Sequence, residues 1–139
     1  MVKRSLAQSY LIKAMKRLKV LDLLLAEEDY SDVVREAQEI VELALKGMLR
    51  QVGVDPPKQH DVGGLLQEFR DRFDPDVAAD VDRLAEISKK LRKEREFSFY
   101  GDIDFIPTEE YTEEDAKQAI ESAIFVVSVA RKVIPEAGL

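Results

Sequence analysis

The 139-residue chain has no cysteine, no tryptophan and a single histidine. Without thiolates there is no disulfide framework, no iron-sulfur ligation, no thiolate zinc site and no cysteine nucleophile. One histidine also excludes a two-histidine metal site within one chain. Long apolar runs are missing too. The longest, around Ala123 to Ala130, contains Ser128 and falls far short of the ~20 residues a membrane-spanning helix needs. Glycine-rich nucleotide loops, a P-loop and zinc-protease motifs are absent, which removes the common signatures of nucleotide enzymes and hydrolases. What is present is 15.8 kDa of chain with 45% hydrophobic and 35% charged residues, in the range of one soluble domain that folds on its own core. A single cytoplasmic domain over residues 1–139 is expected, with no cofactor, no metal site and no membrane contact.

Charge is unevenly distributed. The balance of 28 acids against 21 bases gives -7, which argues against a nonspecific duplex-binding protein with a wholly cationic surface. Residues 1–20 nevertheless carry Lys3, Arg4, Lys13, Lys16, Arg17 and Lys19 without an acid, whereas residues 102–121 hold eight acids and only Lys117. Lys13, Lys16 and Arg17 interrupt any apolar signal-peptide core, so this basic start reads as the first structural helix.

Apolar residues then mark five helical segments. Leu11, Ala14 or Met15, Leu18, Leu21 and Leu25 recur every three or four residues, the period of one helix face, and predict a helix over about Ser5 to Ala26. A second, from about Asp32 to Val52, has Ser31 as its expected cap. It buries Val33 or Val34, Ala37, Ile40 or Val41, Ala44, Leu45 and Met48, and ends at Gly53. So short a turn between them makes the pair antiparallel. Pro56 and Pro57 stiffen the connector to His60. Val62, Leu65, Leu66, Phe69 and Phe73 predict a third helix whose start is frayed by Gly63 and Gly64. Asp74-Pro75 opens a fourth, running to about Glu96 with Val77, Val81, Leu84, Ile87 and Leu91 inward. Phe97 to Tyr111 breaks the pattern. Thr112 to Asp115 fits a capping box and opens the fifth helix, which runs to about Val133 and buries Ala116, Ile120, Ala123, Ile124 and Val127. Four long helices and one short one in a single all-α bundle follow.

Three groups bear on chemistry. His60-Asp61 has the composition of a catalytic pair, but neighbours in a connector rarely address one substrate, and Asp61 is a natural helix cap. Asp102-x-Asp104 has the carboxylates of a magnesium site without a phosphate-cradling loop, and reads as a solvated acidic loop. Arg92, Lys93 and Arg95 precede Phe97, Phe99 and Tyr100, the pairing of guanidinium forks and rings that single-stranded nucleic acids use. The plainer reading is a basic helix end complementing the helix dipole.

A broader pattern lies behind these residues. It comprises Glu28-Asp29-Tyr30-Ser31, the alanine-punctuated stretch from Ala37-Gln38-Glu39 through Glu42 to Leu49, the connector from Gly53 to Asp61, and Arg92 followed by Tyr100-Gly101-Asp102. Together they resemble the HEPN family, the higher eukaryotes and prokaryotes nucleotide-binding domain, over roughly Leu6 to Val133. The resemblance implies an up-and-down four-helix bundle with one additional short helix, a homodimer, frequent pairing with a minimal nucleotidyltransferase, and action on RNA or a nucleotide. Catalytic members carry arginine, four to six residues, then histidine, often with tyrosine two residues later. Here Arg92, five residues, Ser98 and Tyr100 fill that frame, with serine in the histidine's place.

In such a metal-independent ribonuclease the arginine would steady phosphate charge and the histidine would position or move a proton at the 2'-hydroxyl. A serine hydroxyl hydrogen-bonds but is no proton shuttle near neutral pH. The resemblance therefore implies a non-catalytic module with no catalytic residue, binding RNA, a nucleotide or a nucleotidyltransferase through Arg92, Arg95, Ser98 and Tyr100. The alternative is a toxin-like ribonuclease of a toxin-antitoxin pair with a degenerate site, in which His60 would serve only if the connector folds back to the end of the fourth segment. By the same resemblance, Tyr100 is the tyrosine a partner nucleotidyltransferase would modify with AMP.

Overall fold

A computed structural model of the chain describes residues 4–56, 58, 61–99 and 110–136, with 94–99 as backbone only. Its elements are α1 (Leu6–Ala26), α2 (Tyr30–Gln51), α3 (Val62–Glu68), a 3-10 turn (Arg70–Arg72), α4 (Pro75–Ala78), α5 (Val81–Phe99) and α6 (Glu113–Val133). No strand occurs among the described residues, and the fold is an all-α bundle.

Local chemistry sets the helix ends. Ser5 and Gln8 form a reciprocal capping box at the start of α1, with bonds of 3.1 and 2.9 Å between each side chain and the other's backbone N-H. Thr112 and Asp115 do the same for α6 at 3.1 and 2.9 Å, as the sequence predicts. Glu28 closes α1 in the left-handed region at φ 60°, and the Asp29 N-H donates back to the Leu24 carbonyl at 2.9 Å. This closure is tighter than expected, so α2 begins at Tyr30 and Ser31 is buried within its first turn instead of capping it. Gly53, at φ 84°, ends α2 where the sequence places it.

α2 is the central element, packed against α1, α6, α5 and α3. Val33, Ala37, Ile40, Ala44, Leu45 and Met48 are fully enclosed, the face that the three- and four-residue spacing predicts. Each large aliphatic side chain buried in this way favours folding by roughly 1.5–3 kcal/mol. α1 and α5 both pack directly on this helix, and α5 meets α6 only sparingly.

The structure departs from the sequence reading in the middle of the chain. The third segment stops at Glu68 and continues as the 3-10 turn, while the fourth divides into α4 and α5 around Ala79 and Asp80. Asp80 donates to the Val77 carbonyl at 2.9 Å and its own carbonyl accepts from Leu84 at 3.0 Å, so it closes one helix and opens the next. Aspartate competes poorly for helix interiors and readily takes that role. The bundle therefore carries more than one short helix. α5 also reaches Phe99, past the expected end at Glu96. In α6, Ile124 is 52% exposed, whereas Val126, Val129 and Ala130 lie inside. Its apolar stripe is wide enough that spacing alone did not fix which edge faces α2.

Candidate functional site

Arg92 is on the outer surface of α5, one residue past buried Leu91 and among exposed Lys89, Lys90 and Lys93. These three lysines have no ion-pair partner among the described residues, in contrast to Arg17, Arg50, Arg70, Lys117 and Arg131. Arg92 is held by Asp61, which approaches its Nη2 atom to 2.7 Å through Oδ1. The pair joins the entrance of α3 to the second half of α5, 31 residues apart in sequence.

Three features bring Asp61 there. Its Oδ1 also accepts the Gly63 N-H at 3.1 Å, capping α3. Gly63 lets the start of α3 lie against Ala85, because a Cβ at position 63 would stand 2.7 Å from the Ala85 Cα. At the other end, Gln67 donates to Asp82 Oδ1 at 3.0 Å and Arg70 pairs with the same carboxylate. α3 is thus fastened to α5 at both ends, and its start is capped and buried rather than frayed. Partial burial raises the Asp61 pKa, but the Arg92 hydrogen bond and the backbone N-H groups of Gly64 and Gly63 outweigh it and hold the carboxyl below its ordinary value.

Arg95 and Ser98 fall on the last two turns of α5, where the structure gives the backbone. Their side chains, Tyr100, His60 and the Asp102-x-Asp104 pair lie outside the described residues. Asp61 acts as the cap that the sequence predicts. Its second role, as the partner of Arg92, is one the sequence does not announce.

Sequence reasoning also missed a cleft of about 450 Å³ on the opposite flank of α5, where α5 and α6 stand apart. Arg83, Glu86 and Lys90 line one wall, and Tyr111, Asp115 and Gln118 the other. The Arg83 guanidinium lies 3.9 Å from the centre of the Phe125 ring and spans the gap between the helices. No group of three or more histidine, aspartate or glutamate side chains is arranged to hold a metal among the described residues. Nor is any described helix long and apolar enough to cross a membrane.

An all-α bundle with an Asp-tethered arginine exposed on its third long helix is the class that fold and site define. The HEPN domain family model matches residues 7–133, and the chain belongs to that family. Neither a curated protein nor a solved structure matches it.

Proposed function

We propose that this HEPN-domain protein is a non-catalytic cytoplasmic module that binds RNA or a nucleotide, or docks a minimal nucleotidyltransferase, and that it works as a homodimer. The observation that carries this reading is the exposed cationic stretch of α5. Lys89, Arg92 and Lys93 are exposed there on a chain whose net charge is -7. Guanidinium forks take phosphate oxygens in paired hydrogen bonds, and neighbouring ammonium groups add sequence-independent attraction. Arg95, Ser98 and Tyr100 extend the contact along the same helix and past its end, with Tyr100 as the residue a nucleotidyltransferase partner would modify with AMP.

The second reading is a metal-independent ribonuclease of a toxin-antitoxin pair, built on the degenerate Arg92, Ser98, Tyr100 frame. One observation favours it: the Asp61 to Arg92 contact brings the residue that follows His60 in the chain to α5. Incubation of the protein with a mixed RNA pool in chelator, followed by a filter-binding assay, separates the two. The first reading expects wild type to retain intact RNA and Arg92→Ala to release it. Cleavage that depends on Arg92 would establish the second reading in its place.

A further inference from the structure

We propose that Asp61 is a resident counter-anion on Arg92, which an incoming phosphate group must displace, so that this carboxylate sets the threshold for anion binding at the site. The proposal rests on the reading of Arg92 as a phosphate contact.

The two partners of the ion pair are not equally free to move. Asp61 is fixed from its own side, because Oδ1 accepts the Gly63 N-H at 3.1 Å and α3 is itself anchored by the approach of Gly63 to Ala85. Arg92 reaches out on a long side chain from the surface of α5. The side chains are 44% and 54% exposed, so water screens their attraction and the bond is readily exchanged. When an anion arrives, it is the guanidinium that swings and the carboxylate that stays.

Chemistry decides which anions succeed. A single exposed carboxylate in solution offers Arg92 nothing that Asp61 does not already supply at 2.7 Å. A polyphosphate chain engages Lys89 and Lys93 as well, and so compensates for the lost pair. The arrangement excludes small carboxylates from Arg92 and admits an extended phosphate backbone, the chemistry of single-stranded RNA.

Asp61→Asn isolates the charge, since asparagine caps a helix about as well as aspartate. Binding of a fluorescent single-stranded oligoribonucleotide is measured for wild type, Asp61→Asn, Arg92→Ala, the double variant, and Asp22→Asn as an equal charge change on α1. Circular dichroism confirms that each variant is folded. Asp61→Asn is expected to tighten binding about two- to fivefold, the size of one exposed ion pair. The double variant should bind like Arg92→Ala alone, and Asp22→Asn like wild type. If Arg92→Ala weakens binding while Asp61→Asn leaves it unchanged or weaker, the counter-anion role is overturned and the Arg92 contact stands. If Arg92→Ala leaves binding unchanged, both are overturned.

Discussion

Gly63 lies so close to Ala85 that a Cβ added to it would come within 2.7 Å of the Ala85 Cα and 3.0 Å of its Cβ. This approach seats the start of α3 on α5 and delivers Asp61 to Arg92. Gly63→Ala should therefore force the two helices apart and cost about 1–3 kcal/mol, the usual penalty for overpacking. Gly64 is the internal control. A Cβ there first meets Asp61 at 3.4 Å, an ordinary contact. Gly64→Ala should be neutral or stabilise by about 0.5–1 kcal/mol through helix propensity. Urea denaturation of the two variants checks the contrast.

The core prediction is equally direct. Leu45 is fully buried on α2, so Leu45→Ala should cost roughly 2–5 kcal/mol. Ile124→Ala, at a position 52% exposed, should stay within about 0.5 kcal/mol of wild type. A large loss at Ile124 in a dilute monomeric sample would show that the face of α6 has been assigned wrongly.

That pair of residues also shows what the sequence could and could not convey. Spacing placed Leu45 inside because the charged residues of α2 gather on one side and leave the opposite side apolar. It misplaced Ile124 because α6 offers apolar residues on more than half its circumference, and only the position of α2 selects among them. The caps at Asp61 and Thr112 were legible as local chemistry within four residues, whereas Ser31, read as a cap, lies inside α2. The division at Asp80 was not, since Val77 and Val81 keep the helical interval on either side of it. Of the candidate site, the sequence conveyed the residues and not their contact. Arg92 stood out by composition and by the family frame, and Asp61 by its capping position. Their contact spans 31 residues and depends on the absence of a side chain at Gly63, which no local pattern reports.

Acid should dissolve the tether. The Asp61 carboxyl is held below its ordinary value of 3.8, so the folded state favours the charged form. A depressed carboxylate contributes stability above its unfolded pKa and loses that contribution as the pH falls through the folded one. Wild type should therefore be more stable than Asp61→Asn at pH 7, with the gap closing below about pH 3.8. Added salt should also narrow it, as expected for an exposed pair. Thermal melts across pH 2 to 7 test this, and a gap that widens in acid would contradict it.

Dimerisation is a separate expectation. Leu6, Val20 and Leu23 on α1 and Ile124 on α6 are exposed large hydrophobic residues, and burial against a second copy would remove them from water. Light scattering at micromolar concentration should give twice the chain mass of 15.8 kDa. A value at the single-chain mass would reject the dimer.

The central claim is that Arg92 meets phosphate. It is tested most directly by the salt dependence of binding, measured by fluorescence anisotropy with a single-stranded oligoribonucleotide. A phosphate contact releases counterions, so wild-type affinity should fall linearly on logarithmic axes as salt rises. Arg92→Ala should bind more weakly, with a slope shallower by about 0.7, the contribution of one phosphate contact on a single strand. An Arg92→Ala variant that keeps both the affinity and the slope of wild type would contradict the claim.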